Sequence, residues 1–126
     1  PTRWMDNDAY GHMNNIVHYA LIDTAVTDWQ RNCGFFSEEH KCLEFMVVES
    51  GCCYFSEAAY PDKIAVGLRI KKIGRTSWIY QAGLFRERDE LCFALGFFAQ
   101  VLVDCKKRRP TPIPKKMREA LKLIEV

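Results

Sequence analysis

The sequence carries almost no net charge and has no long hydrophobic run. Its 18 Lys and Arg residues nearly balance its 16 Asp and Glu residues, and the formal charge of +2 over 126 residues is too small to indicate a nucleic-acid partner. The most apolar stretch, 91–103, contains Gln100 and is shorter than the roughly 20 residues that span a bilayer. We therefore expect neither a nucleic-acid partner nor a membrane span.

Recognisable disulfide, metal and targeting patterns are also missing. The 6 cysteines include the adjacent pair Cys52 and Cys53, and the others show neither metal-type nor disulfide-framework spacing, so we expect six reduced thiols. The sequence begins at Pro1 without a basic-then-apolar leader. A start upstream of Pro1, including part of a first strand, is left open, and a cytoplasmic location is the default expectation.

Hydrophobic residues are plentiful enough to build the core of one domain over 1–126. They make up 48% of the chain, and aromatic residues 13%, unlike the composition of a disordered protein. Over 15–33 the apolar residues recur at helical spacing, which predicts an amphipathic helix of about 18 residues and roughly 27 Å. The side-chain oxygen of Asn14 or Asn15 can cap its start, and Gly34 suits the position just past its end.

Strand and turn signals follow this helix. Runs of alternating or β-forming residues, separated by Pro, Gly and charged tips, predict three consecutive antiparallel strands preceded by one earlier strand. The strands are expected at about 43–55, 66–71, 76–86 and 91–103, and a short amphipathic helix at 115–124. One long helix followed by such a meander predicts an α+β fold in which the sheet wraps the helix.

The densest polar cluster, 6–15, lies immediately before the predicted helix. It combines carboxylates and an imidazole with a helix amino end, whose unpaired N–H groups can bind an oxyanion. A nearby carboxylate can act as general base or nucleophile, so the cluster suits acyl transfer. The alternative is that these residues only form a loop and a cap. Tyr10 and Val17 stand where a calcium loop needs oxygen ligands, and no His or Cys pair has zinc spacing, so no metal or bound cofactor is expected.

A family resemblance is carried by the same segment. Residues 8–15 read DAYGHMNN and are followed by Tyr19. This string resembles the D-x-x-G-H-[VM]-N-N motif of the hotdog-fold acyl-CoA thioesterases of the 4-hydroxybenzoyl-CoA thioesterase type. In that family the motif opens a long central helix, which a long antiparallel sheet wraps. The resemblance therefore implies a hotdog fold, in agreement with the order of the predicted elements.

The resemblance also implies roles for individual residues. Asp8 matches the catalytic carboxylate, acting as general base or nucleophile, and the backbone N–H of Asn15 matches the group that polarises the thioester carbonyl. His12 matches a catalytic histidine of the plant acyl-carrier-protein thioesterases, although Tyr10 replaces an Asn of those enzymes. Asp6 would face the same side as Asp8 if the segment were extended. The family match alone favours Asp8 as the catalytic carboxylate.

The basic segment 71–77 resembles the part of these enzymes that contacts the nucleotide of coenzyme A. Arg and backbone N–H groups suit phosphate oxygens because they form charge-assisted hydrogen bonds. The substrate-binding residues that the resemblance implies are Tyr19, Lys72, Arg75, Thr76 and Ser77. A solvated turn is the alternative interpretation of this segment. The basic run 106–109 is a second candidate for phosphate contact.

The sequence thus predicts an acyl-CoA thioesterase that releases a carboxylic acid and free CoA. By resemblance, the chain is expected to form a homodimer or a dimer of dimers, that is, a homotetramer. Two alternatives stay open: a hotdog module that binds acyl-CoA without hydrolysing it, and a dehydratase acting on hydroxyacyl thioesters. The presence of Asp8 disfavours the first, and the local motif disfavours the second.

Overall fold

The computed structural model describes all 126 residues and contains one antiparallel sheet with two α-helices. The helices are α1, Val17–Asn32, and α2, Lys115–Leu123. The strands are β1, Leu43–Tyr54; β2, Ile64–Ile73; β3, Ser77–Arg86; β4, Ala94–Asp104; and the short β5, Arg109–Pro110. Short 3₁₀ turns cover Trp4–Asp6 and Glu38–His40. Neither α-helix combines the length and the apolar character needed to cross a membrane.

The strands lie in the order β1-β4-β3-β2, with β5 paired to the end of β4. Strands β2, β3 and β4 form the predicted consecutive antiparallel meander, and β1 returns to the far side of β4. Inward-facing positions of β3 alternate with half-buried ones, as its sequence period requires. The predicted α+β class is confirmed, and the arrangement is consistent with a hotdog fold.

Helix α1 packs on one face of this sheet. Ile22 and Val26, one turn apart, are fully buried and join Trp78 and Leu102 of the sheet in a single core. The helix has 16 residues, which correspond to about 24 Å. It is shorter than predicted because regular helix begins only at Val17, so the expected long central helix is not confirmed.

The helix ends at a glycine, as the sequence indicates. Gly34 has a φ of +79°, which favours glycine, and its N–H donates to the carbonyl oxygen of Arg31. The N–H of Phe35 donates to the carbonyl oxygen of Gln30, completing a Schellman pair of hydrogen bonds. The predicted cap is therefore confirmed at this end of α1.

A buried polar cluster ties α1 to the sheet. The Nε2 of Gln30 donates to the Tyr80 hydroxyl at 3.0 Å and to Oε1 of Gln100 at 2.7 Å, and all three residues are buried. Burial raises the pKa of Tyr80, which keeps its hydroxyl neutral. Because these hydrogen bonds join α1 to both β3 and β4, they fix the position of the helix on the sheet.

The expectation of six reduced thiols is wrong, because Cys42 and Cys105 form a disulfide. Strands β1 and β4 pair with Leu43 opposite Asp104, so the two cysteines meet just beyond the end of the ladder with Cα atoms 5.2 Å apart. Their separation of 63 positions carries no pattern that spacing alone could reveal. The other four cysteines are free thiols: Cys33, Cys52, Cys53 and Cys92.

Candidate active site

Asp8 organises the loop before α1. Its Oδ1 accepts hydrogen bonds from the N–H groups of Tyr10 at 2.8 Å and His12 at 3.2 Å, while its own N–H donates to the carbonyl oxygen of His12. Gly11 closes the turn with a φ of +79°. One carboxylate oxygen therefore holds the loop, and the other, Oδ2, accepts no hydrogen bond from the chain. A half-buried carboxylate with one uncommitted oxygen can act on a water or a carbonyl carbon.

Asp6 has a different environment from Asp8. It is buried, and its carboxylate accepts hydrogen bonds from the Arg3 guanidinium, with an Nη2–Oδ1 distance of 2.7 Å, and from the Arg3 N–H at 2.8 Å. These hydrogen bonds from Arg3 hold the pKa of Asp6 below its usual range. The expectation that Asp6 and Asp8 face the same side is wrong, because the 3₁₀ turn Trp4–Asp6 directs Asp6 inward.

The start of α1 leaves a backbone donor free. The N-cap residue of α1 is Ile16, and no side chain caps the first turn, so the prediction that Asn14 or Asn15 caps the helix is wrong. Oδ1 of Asn14 instead accepts the N–H of Ile16, just before the helix, at 3.1 Å. The N–H of Asn15 has no acceptor within the chain. This N–H lies at the amino end of a helix, where the helix dipole favours negative charge. It is therefore available to an oxyanion.

The carbonyl oxygen of Asn15 is held from two sides. It accepts hydrogen bonds from the Tyr54 hydroxyl at 2.8 Å and from Nδ1 of the buried His18 at 3.2 Å. Burial lowers the pKa of His18, and partial burial beside Cys52 and Tyr19 raises the pKa of Tyr54 to about 12. Tyr54 thus remains a donor at neutral pH. Tyr19, predicted from the motif, lies half-buried at this same group of side chains.

His12 contacts a carboxylate that sequence reasoning missed. Its Nε2 lies 3.0 Å from Oε2 of Glu57, in the segment that follows β1. The two segments are joined by the Met13 N–H, which donates to the carbonyl oxygen of Ala58 at 2.7 Å. Asp8, His12, Asn15 and Tyr19 are therefore brought to one end of the sheet. Because Glu57 lies 45 positions beyond His12, no local motif joins the two.

The basic turn between β2 and β3 lies at the opposite end of the sheet. Strand β3 runs from Ser77, beside this turn, to Arg86, whose guanidinium donates to the Glu57 carbonyl oxygen. Its 10 residues span about 30 Å at roughly 3.3 Å each. Within one chain, Lys72, Arg75, Thr76 and Ser77 therefore do not share a site with Asp8.

Cations are concentrated at that distant end. Arg75 is exposed, and the carbonyl oxygens of Gly74 and Arg75 accept hydrogen bonds from Arg118 of α2, at 2.9 and 3.4 Å. The second basic run covers the tight turn between β4 and β5 and continues into Arg109, the first residue of β5. We call this surface the cationic end, because its basic residues outnumber acids such as Glu44, Asp104 and Glu119 that also lie there. Its basic members are Lys72, Arg75, Lys106, Lys107, Arg108, Arg109, Lys115, Lys116 and Arg118.

The end that carries Asp8 has the opposite balance. Its acidic residues outnumber its basic ones, which are Arg3, Lys63, Arg86 and Arg88. We call this surface the acidic end; its acids are Asp6, Asp8, Glu57, Asp62, Glu87, Asp89 and Glu90. No group of three His, Cys, Asp or Glu side chains is arranged to hold a metal ion.

Comparison with known proteins identifies the family. The sequence profile of the thioesterase-like superfamily matches residues 2–121. The chain belongs to the thioesterase-like superfamily. Solved structures of this superfamily are therefore the natural comparison, and the resemblance found in the motif is confirmed by an independent match across nearly the whole chain. Membership makes the chain a thioester hydrolase.

Three solved structures illustrate the likeness. The PA5185 protein of Pseudomonas aeruginosa strain PAO1 is 39% identical, with a TM-score of 0.91 over 98% of this chain and 87% of that one. Slr0204, a 1,4-dihydroxy-2-naphthoyl-CoA thioesterase from Synechocystis, is 15% identical, with a TM-score of 0.81 over 94% and 88%. SAV2348 from Staphylococcus aureus, solved in complex with CoA, is 16% identical, with a TM-score of 0.88 over 98% and 78%. The last two show the shared fold only. A comparison with curated proteins gave no significant match.

Proposed function

We propose that this protein hydrolyses acyl-CoA thioesters to a carboxylic acid and free CoA. The observation that carries the proposal is that the Asp8 carboxylate, with Oδ2 uncommitted, lies in the loop that ends at the unpaired N–H of Asn15, just before α1. Hydrolysis of a thioester needs a base or nucleophile beside a donor for the developing oxyanion, and these two groups supply them. The CoA complex of SAV2348 supports CoA as the thiol part of the substrate.

Two routes use this geometry. In the first, Asp8 takes a proton from water, whose oxygen attacks the thioester carbon. In the second, Asp8 attacks the carbon itself, and water then hydrolyses the mixed anhydride. In both routes the C–S bond breaks and the thiolate of CoA leaves. The Asn15 N–H stabilises the tetrahedral oxyanion, a contribution typically of about 10²- to 10³-fold in rate for one donor.

The complete site is proposed to need two chains. About 30 Å of strand separates the cationic end from Asp8 within one chain, so the cationic end would bind the CoA phosphates beside the Asp8 loop of another chain. Strand β1 lies at the edge of the sheet, and Met46, Val47 and Val48 on it are exposed, which favours pairing with a second copy. This arrangement agrees with the expected homodimer or dimer of dimers.

The experiment is product analysis with a panel of acyl-CoA esters. Chromatography should show equal amounts of free CoA and carboxylic acid, and it avoids thiol reagents, which would also react with the exposed Cys33 and Cys53. An enoyl-CoA product would instead indicate a dehydratase. Tight binding without release of CoA would indicate a binding module.

A further inference from the structure

The contact between Glu57 and His12 bears on which nitrogen of the imidazole carries a hydrogen. An ionised carboxylate only accepts hydrogen bonds, so the 3.0 Å distance between Oε2 of Glu57 and Nε2 of His12 favours the form of His12 that carries a hydrogen on Nε2. In a neutral imidazole the other nitrogen, Nδ1, is then an acceptor. Nδ1 of His12 has no partner within the chain, although the N–H of its own backbone bonds to Asp8. Nδ1 of His12, which has no partner, therefore lies in the same loop as Asp8, the proposed catalytic carboxylate.

The backbone of Glu57 is fixed on both sides. Arg86 at the end of β3 donates to the Glu57 carbonyl oxygen, and its Nε also bonds to Asp89 at 2.6 Å. On the next residue, the carbonyl oxygen of Ala58 accepts the Met13 N–H at 2.7 Å. These hydrogen bonds connect the Glu57 segment to the His12 loop independently of the side-chain contact. Removing the Glu57 carboxylate should therefore leave the loop in place.

We propose that Glu57 is a positioning residue that selects the Nε2-protonated form of His12 and so leaves Nδ1 to accept a hydrogen bond from the attacking water. Glu57 forms and breaks no covalent bond; the proton of the water goes to Asp8. The inference rests on the proposed hydrolysis, and it adds a residue outside the motif to that reaction. A histidine whose orientation and protonated nitrogen are fixed by a carboxylate is a better acceptor than one free to exchange tautomers.

The first test reads the imidazole directly. With ¹⁵N-labelled histidine in the full chain, the ring nitrogen shifts of only 3 histidines need assignment, and His12→Asn identifies the signals of His12. The wild type should show one tautomer, protonated at Nε2, and Glu57→Ala, which removes the acceptor, should return His12 to a tautomer mixture. Because this readout does not depend on turnover, it remains decisive even if the protein hydrolyses no acyl-CoA. Unchanged signals in Glu57→Ala would overturn the proposal.

The second test separates positioning from folding. Glu57→Ala should lower kcat by about tenfold with little change in KM, the scale of coupling between residues in one hydrogen-bond network. In the His12→Asn background the same change should have no further effect, since Glu57 acts only through His12. The matched control is Glu90→Ala, which removes an exposed acid from the neighbouring loop, and its kcat should equal that of the wild type. An equal loss of kcat in both backgrounds would contradict the role of Glu57.

Discussion

The hydroxyl of Tyr54, the last residue of β1, donates a 2.8 Å hydrogen bond to the carbonyl oxygen of Asn15. The N–H of the same peptide unit, that of Ile16, is held by the Asn14 side chain. Because a peptide unit is planar, fixing both of its polar groups fixes its orientation. The N–H of Asn15, one peptide unit earlier, has no acceptor in the chain and can bind a substrate. Because Tyr54 belongs to β1, the sheet helps to orient this candidate oxyanion site.

Tyr54→Phe tests this relationship. Loss of the hydroxyl should lower the free energy of unfolding by about 0.5–1.5 kcal/mol, the usual worth of one hydrogen bond. It should also lower kcat by up to about tenfold, because the oxyanion donor is less well oriented. Chemical denaturation and steady-state kinetics measure the two effects. A variant with reduced stability but unchanged kcat would show that Tyr54 stabilises the fold without contributing to catalysis.

Asp8→Asn should remove most hydrolysis and leave the fold intact. The amide oxygen can still accept the N–H groups of Tyr10 and His12, which hold the loop, but the amide neither takes a proton efficiently nor attacks a carbonyl. We expect a fall in kcat of at least about 10²- to 10⁴-fold, with a melting temperature close to that of the wild type. Turnover near the wild-type rate would remove the proposed mechanism.

Asp6→Asn should affect stability rather than chemistry. Because Asp6 is buried and charge-paired with Arg3, the variant should lose about 1.5–3 kcal/mol of unfolding free energy at neutral pH, the range for hydrogen bonds to charged groups. The folded-state pKa of Asp6 is lowered, so its stabilisation is complete above the ordinary Asp pKa of about 3.9 and is lost as the pH falls through the folded-state value. The difference between wild type and variant in denaturation experiments should therefore shrink below about pH 4. A constant difference across this window would contradict the charge pairing.

Mixing the inactive Asp8→Asn variant with Arg75→Glu, which binds acyl-CoA weakly, tests whether a site uses two chains. Arg75→Glu should raise KM for acyl-CoA with little change in kcat, and the effect should be smaller for short pantetheine thioesters, which lack the nucleotide phosphates. At subsaturating substrate, heterodimers of Asp8→Asn and Arg75→Glu should regain activity, since each contains one site with both residues intact. Sedimentation should show no stable monomer at micromolar concentration. A mixture that stays inactive after subunit exchange would place both residues in one chain's site.

Local patterns predicted the elements of this fold better than its long-range contacts. The strand periods located β2, β3 and β4, and Gly34 marked the end of α1, because backbone geometry acts over a few residues. The Cys42–Cys105 disulfide depends on the register of β1 against β4, which no short window encodes. Arg3 lies three positions before Asp6, a spacing typical of a local ion pair, and this short-range signal distinguishes Asp6 from Asp8.

The same distinction applies to the site residues: those close together in sequence were predicted correctly as neighbours, and those far apart were not. Asp8 and His12 were predicted together, and one loop does hold both, since the Asp8 carboxylate accepts the His12 N–H. The basic turn was predicted as part of the same site, but spacing along the chain does not show at which end of a sheet a turn will lie. The partner of His12 could not be predicted because the whole of α1 and β1 separates it in sequence.

The separation of acidic and cationic ends gives the molecule an electric dipole along its strands, although its net charge is only +2. Two such chains approaching side by side attract each other when antiparallel and repel when parallel, so the charge pattern orients the encounter before any contact forms. Screening over about 8 Å at physiological ionic strength would weaken this steering. Added salt should therefore slow association of the chains far more than it speeds their dissociation.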